Sequence, residues 1–198
     1  PSGNFGNAYS AWFGRSNGLP ISEIFCSTNV NDVLRRFIDG GVLEPLVTQP
    51  SVAPSMDIQI PSSLERLIFD LSDGVKEFYV QLQSNSKAQL DKKSFDALKS
   101  IFSSFTFPDD IITTLITSLH TEFDIIFDPH SVTSVQMALD NDSSLSTVAV
   151  ATASPEKFGN VISPLINGFT ESKIDQKEQY LTLNTENTVI IEAIKAFI

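Results

Sequence analysis

The residues whose types and spacing can do chemistry gather at the start of the chain, in Ser2-Gly3-Asn4-Phe5-Gly6-Asn7. Two glycines permit positive φ and close main-chain approach, and the residues behind them have helical spacing. Such a turn aims several N–H groups at one point, and the positive end of the helix dipole adds to their attraction for an anion. Ser2, Asn4 and Asn7 offer neutral polar side chains in support. The first cationic side chain is Arg15, so the main chain must carry most of the binding. A plain turn ahead of a helix has the same composition, and the loop alone does not separate the two readings.

Other candidates are sparser. His130 follows Asp128-Pro129 where a helix begins, and it suits either a capping or main-chain-bonded role or a place lining a site. His120 falls on a predicted helix and reads as structural. Two distant histidines and one cysteine give no metal-ligand spacing. That cysteine, Cys26, follows Ile24 and Phe25, cannot form an intrachain disulfide, and reads as a buried thiol in a reducing cytosol. Asp57 and Arg66 sit near the ends of elements and read as structural. Asn29, Asn31 and Asp32 suit helix capping as readily as contact with a substrate.

Composition bounds what these residues can serve. With 13 Lys plus Arg against 24 Asp plus Glu, the formal charge is −11, which disfavours nucleic acid and anionic membrane as partners. No apolar stretch reaches the ~20 residues of a membrane helix, so a soluble, cytoplasmic protein is expected. The 198 residues, 41% hydrophobic and 19% charged, suit a globular chain that hides about 70% of its unfolded surface. The opening loop is of a kind that follows a buried strand, and a truncated or processed polypeptide is therefore expected.

The elements that must position the loop follow an α/β pattern. A helix is predicted over Asn7 to Gly18, a short buried strand over Ser22 to Ser27, and a helix N-capped by Asn29 or Asn31 with Val33, Leu34, Phe37 and Ile38 at core spacing, ended by Gly40 and Gly41. Val42 to Pro61 reads as an ordered loop with one strand near Asp57 to Ile60. Pro61 suits the first turn of a helix carrying Leu64, Leu67, Ile68 and Leu71. Val75 to Leu82, Lys92 to Phe105 and Asp109 to Phe123 read as amphipathic helices with no strand among them. Strands at Ile125 to Phe127 and Ser146 to Ala151, with helices from Pro129 to Leu139 and near Ser154-Pro155, resume the alternation. A last strand is predicted at Gln179 to Leu183 and a terminal helix at Glu186 to Phe197.

GNFGN ahead of a helix resembles the loop that holds the cofactor phosphate in threonine synthases, members of the fold-type II pyridoxal-phosphate family. Four further stretches agree in order: STNVNDVLRRF from Ser27, PSMDIQIPSSLERLIFDL from Pro54, DPHSV from Asp128 and ATASPEKF from Ala151. Together they cover residues 1 to about 160, and 161–198 resembles the family's tail only weakly. The fold implied is part of a doubly wound, mostly parallel sheet, tryptophan synthase beta-like. Its expected parts are 1–73, a helical insertion over 74–124, and 125–198.

By this resemblance Gly3, Asn4, Phe5, Gly6 and Asn7 cradle the phosphate of pyridoxal 5'-phosphate, and the Thr152 hydroxyl bonds its pyridine nitrogen. The structural alternative for Thr152 is a β-branched residue ending a strand. The implied reaction converts O-phosphohomoserine and water to threonine and phosphate. The lysine that holds the cofactor and moves protons in the family lies upstream of Pro1, so no catalytic residue is assigned here, and the chain alone is expected to be inactive without its N-terminal half. Ser134 replaces a usual glycine, Ser154 a usual histidine, and Ser63-Leu64 a usual Asn-Phe pair, changes mild enough for an active parent enzyme that leave the exact substrate-phosphate contacts unassigned. Two other functions compete: a phosphate-binding remnant without chemistry, and a related serine/threonine dehydratase. The helical insertion and the MDIQ segment speak against the dehydratase. Half of a doubly wound sheet leaves apolar area bare, so the isolated chain is expected to self-associate.

Overall fold

The computed structural model describes residues 1–170; the strand expected at 179–183 and the helix expected at 186–197 lie outside the described residues. The opening loop runs into α1 (Gly6–Ser16). Next comes β1 (Ile24–Thr28), which is short and mostly apolar, and buries Ile24 and Cys26. In α2 (Val33–Gly40), Val33, Leu34, Phe37 and Ile38 are all buried along one stripe. The helix stops at Gly41, whose φ of +71° favours glycine, and the Gly41 amide closes the last turn on the Phe37 carbonyl.

After α2 the chain makes β2 (Val42–Leu43), a 3-10 turn at Pro54–Met56, α3 (Leu64–Leu71), α4 (Val75–Asn85), β3 (Ala88–Gln89) and α5 (Lys92–Lys99). It continues through β4 (Phe102–Thr106), α6 (Asp109–Phe123) and α7 (Ser131–Leu139) to a 3-10 turn at Pro155–Phe158 and α8 (Gly159–Ile162). β1 and β4 pair in parallel, from Ile24 opposite Phe102 to Thr28 opposite Thr106. β2 and β3 form a separate antiparallel pair. Among the described residues no helix is long and apolar enough to cross a membrane.

Two apolar clusters hold these elements. One surrounds the parallel pair and contains Phe5, Leu34, Phe37, Leu67, Leu98 and Phe102, and the other joins α6, α7 and α8 to the Pro54–Met56 turn through Met56, Ile112, Ile116, Val132 and Ile162. Within the first, the Phe102 ring lies 5.7 Å from that of Phe5 and 6.3 Å from that of Trp12. β4 thereby fastens the opening loop and α1 to the sheet.

Several sequence expectations are corrected. The single helix expected over 92–105 is α5 followed by β4, so strands do occur between 74 and 124. Leu98, Ile101, Phe102 and Phe105 fall at helical spacing, which disguised the strand; the parallel ladder with β1 decides in its favour. Asp57 to Ile60 forms no strand, because the Met56, Asp57 and Ile58 amides bond locally to Ala53, Pro54 and Met56 carbonyls. Ile125 to Phe127 and Ser146 to Ala151 are irregular, with no ladder partner among the described residues. Neither Asn29 nor Asn31 caps α2: Asp32 holds that position and pairs with Arg35 and Arg36.

The start of α7 depends on Asp128. Its buried carboxylate accepts from the His130 amide at 2.9 Å, the His130 ring at 2.7 Å and the Ser131 hydroxyl. Burial alone would raise this carboxyl, but the hydrogen bonds from His130 and Ser131 outweigh it and hold the group below the usual carboxylate range.

Phe102→Ala is expected to cost about 3–5 kcal/mol in urea unfolding, against about 1 kcal/mol or less for Phe105→Ala, whose ring is 49% exposed. Because Asp128 has a depressed folded pKa, its stabilisation is present above the unfolded value of about 4 and is lost as pH falls below it. Asp128→Asn should therefore lose roughly 1.5–3 kcal/mol near neutral pH and show a shallower acid decline, read from urea midpoints at successive pH values. An unchanged acid slope would count against this role.

Candidate functional site

The opening loop is built around Phe5, which takes up the left-handed conformation at φ +69° and buries its ring completely. Gly3 packs main chain to main chain: a methyl group there would lie 2.7 Å from the Ser55 carbonyl oxygen and 2.8 Å from Met56 Cα. Only glycine fits without moving the Pro54–Met56 turn. At Gly6 an added methyl would meet only Ser63 Oγ, at 3.7 Å, an ordinary contact. Packing does not demand glycine there, and its bareness leaves the neighbouring amides open to approach.

The side chains expected to support an anion are turned into the loop. Ser2 is buried, bonds Ser27 through its amide at 2.9 Å, and donates its hydroxyl to Asn7 Oδ1 at 2.8 Å. Asn7 Oδ1 also accepts from the Ala8 amide, and Asn7 Nδ2 donates to the Pro1 carbonyl. Asn4 Oδ1 accepts from the Ser62 amide and hydroxyl, while the Asn4 carbonyl takes the Ser63 amide, which ties the loop to the start of α3.

The main chain is free in contrast. Among the described residues, the amides of Gly3, Asn4, Phe5, Gly6 and Asn7 donate to no protein acceptor. They form a run of N–H groups leading into the first turn of α1, where the helix dipole adds positive potential. This donor set suits an oxyanion of tetrahedral shape, bound through neutral groups on a protein of net charge −11.

Thr152 lies on an exposed, irregular segment. Its amide donates to Ser131 Oγ at 3.0 Å, and its hydroxyl has no partner among the described residues. Ser134, which stands where the resemblance has a glycine, shares its one hydroxyl proton between the Ser131 and Val150 carbonyls, 2.9 and 3.1 Å away. These bonds lay the segment before Thr152 along α7.

Beside the loop opens a cleft of about 1110 Å³, lined among others by Ser2, Asn7, Ala8, Cys26, Met137 and Val150. It takes in the Ser2 and Asn7 side of the loop, but Gly3, Asn4, Phe5, Gly6 and Thr152 do not line it. Burial pushes the Cys26 thiol up to about 12, which leaves it protonated and unreactive at neutral pH.

Asn29 and Asn31, left open between capping and substrate contact, form one internal network with Asp57, which reads as structural. Asp57 Oδ1 accepts from Asn29 Nδ2 at 2.6 Å, from Asn31 Nδ2 at 2.9 Å and from the Ser51 hydroxyl at 2.6 Å. Arg66 lies over the Tyr9 ring, 5.9 Å from its centroid. Ser55, Ser62 and Ser131 hold the loop and Thr152 in place, and sequence reasoning passed over all three. Only Ser131 carried a signal, since Asp-x-x-Ser at the head of an apolar run is a helix-start pattern.

No family model matches the chain. It is 32% identical over 168 residues to threonine synthase from Pseudomonas aeruginosa, covering 82% of this chain and 36% of that protein. Against threonine synthase from Saccharomyces cerevisiae it is 30% identical over 199 residues, covering 89% of this chain and 39% of the other. The crystal structure of PLP-bound threonine synthase from Brucella melitensis superposes with a TM-score of 0.82 at 29% identity, covering 99% of this chain and 45% of that one. The chain is thus a relative of the threonine synthases along most of its length and has their α/β fold, over a stretch equal to 36–39% of the curated relatives it matches.

Proposed function

We propose that this chain is the part of a threonine synthase that binds the phosphate of pyridoxal 5'-phosphate, in an enzyme converting O-phosphohomoserine and water to threonine and phosphate. The observation that carries the reading is the run of unpaired amides from Gly3 to Asn7 at the head of α1. Phosphate offers oxygens in the number and charge such a run can satisfy, and the bare Gly6 leaves room for its approach.

Thr152 is the proposed partner of the pyridine nitrogen. Its main chain is tethered by Ser131 while its hydroxyl is unengaged among the described residues. A neutral hydroxyl does not require that nitrogen to be protonated, which a carboxylate would favour. When bound, the cofactor supplies the electron sink for carbon-acid chemistry, and the chain's own residues hold its two ends.

No catalytic residue is assigned within the chain. The lysines of the described residues (Lys76, Lys87, Lys92, Lys93, Lys99 and Lys157) are all exposed, which fits no cofactor-bound amine. The amine is proposed to come from a companion segment, a reading supported by the exposure of the described lysines and by the 36–39% of its relatives' length that the chain spans. The division into 1–73, 74–124 and 125–198 stands as part of the same proposal, with the site residues in the first and last parts. A cytoplasmic setting is proposed with it. Exposed Phe13, Val47, Phe69, Leu145 and Val148 support self-association of the isolated chain.

Titration of the chain with inorganic phosphate and with pyridoxal 5'-phosphate should give saturable binding. Gly3→Ala, with its secondary structure intact by circular dichroism, should weaken both by tenfold or more, about 1.4 kcal/mol. Addition of the companion N-terminal portion should restore phosphate release from O-phosphohomoserine. Binding without turnover in a soluble, folded pair would leave the non-catalytic reading, and deamination of serine or threonine would favour a dehydratase. In analytical ultracentrifugation the lone chain should sediment as dimers or larger species; a monodisperse monomer would contradict the self-association.

A further inference from the structure

The loop and the Thr152 segment are far apart in sequence, yet both are hydrogen-bonded toward one buried cluster at the head of α7. His130, 2% exposed, accepts the Ser55 amide on Nε2 at 3.0 Å. Its Nδ1 lies 2.7 Å from Asp128 Oδ1. Since Nε2 must carry a lone pair to accept from Ser55, the proton sits on Nδ1 and is donated to Asp128. The carboxylate therefore selects the only tautomer able to hold Ser55. The ring is also braced by Phe158, whose centroid lies 4.7 Å away.

From His130 two paths lead to the site. Ser55 is the residue whose carbonyl packs so near Gly3 that a methyl group there would lie 2.7 Å from its oxygen, which makes the Ser55 main chain a wall of the loop. In the other direction, Asp128 Oδ2 accepts from the Ser131 hydroxyl, and Ser131 Oγ accepts the Thr152 amide. A parallel tie runs from the His130 carbonyl through the Thr133 hydroxyl, at 2.7 Å, to Ser27 Oγ at 2.6 Å. The Ser27 carbonyl in turn holds the Ser2 amide.

We propose that His130, held in its Nδ1–H tautomer by Asp128, is a positioning residue that sets the phosphate loop through Ser55 while Ser131 on the same carboxylate sets Thr152. The inference rests on reading Gly3–Asn7 and Thr152 as two ends of one site, but its mechanical content, a shared buried anchor, can be measured without any ligand. A mere filler of the core would need the volume of His130 and not its particular acceptor atom.

Two variants of the full chain separate these roles. In His130→Asn the side-chain amide can replace Nδ1 toward Asp128 but does not reach Ser55. In His130→Gln the longer side chain can present an oxygen where Nε2 was. Imidazole ¹⁵N shifts of the wild type should show a protonated Nδ1 and an unprotonated Nε2. By amide hydrogen exchange, the Asn variant should lose protection at Ser55 by tenfold or more and keep it at Thr152. The Gln variant should recover most of the Ser55 protection. Ser131→Ala should give the opposite pattern, exposing Thr152 and sparing Ser55, and it serves as the decisive variant if the Asn protein does not fold.

Affinity for pyridoxal 5'-phosphate and for inorganic phosphate should fall at least tenfold in His130→Asn and recover in His130→Gln. Asn and Gln variants that are equally impaired, or a Ser131→Ala protein that exposes both amides alike, would overturn the proposal in favour of a general packing role. If the wild type binds neither probe, the reading of the site fails, whereas the exchange pattern still decides whether His130 couples the two segments.

Discussion

The left-handed turn at Phe5 is the constraint on which the rest of the structure depends. A non-glycine residue at φ +69° costs about 1–2 kcal/mol, a term of the same size as the roughly 1.5–3 kcal/mol that full burial of its ring contributes. The ring is buried against Phe102, which Trp12 backs in turn. The turn in the loop, the start of α1 and the packing of β4 on β1 are therefore one event. Reversing the turn would bring Phe5 out of the core and scatter the amides that lead into the helix.

Around this apolar anchor, two carboxylates, the half-buried Asp57 and the buried Asp128, organise the irregular chain. Asp57 gathers Asn29, Asn31 and Ser51 and so pins the long connection after β2 to the end of β1. Asp128 gathers His130 and Ser131, and through them Ser55 and Thr152. Both hubs stand where the chain has no ladder or helix to satisfy its polar groups. An irregular segment there needs a fixed acceptor, and a carboxylate with several donors gives charge-assisted bonds in fixed directions. The two hubs meet at the Pro54–Met56 turn, against which Gly3 is packed without space for a side chain.

The free amides acquire meaning from this setting. Ser2, Asn4 and Asn7 consume their side chains in shaping the loop, so the donors available outward are those of the main chain. An anion site of the kind proposed would therefore need no cation, even on a protein with an excess of acidic residues. Affinity at such a site would come from geometry and the helix dipole, which act over short range and are little affected by the overall charge.

By itself the sequence determined the local elements and the loop's chemistry. The helix behind the opening loop, the stripe of α2 ended by Gly41 and the long α6 follow from spacing and from the glycine stop at 41, whereas the left-handed residue of the loop is Phe5 and not Gly3 or Gly6. The resemblance to threonine synthases likewise lay in short ordered stretches that the comparisons bear out along most of the chain. Tertiary structure alone decided that 102–106 is a strand, because Leu98, Ile101, Phe102 and Phe105 satisfy a helical period and only the ladder with β1 breaks the tie. It also decided that Asn29 and Asn31 serve Asp57 instead of capping a helix, and that His130 joins Ser55 to Asp128. These are pairings between residues 26 to 75 positions apart, in which each polar side chain has several local uses of similar energy, so the choice falls to whichever partner burial brings within reach.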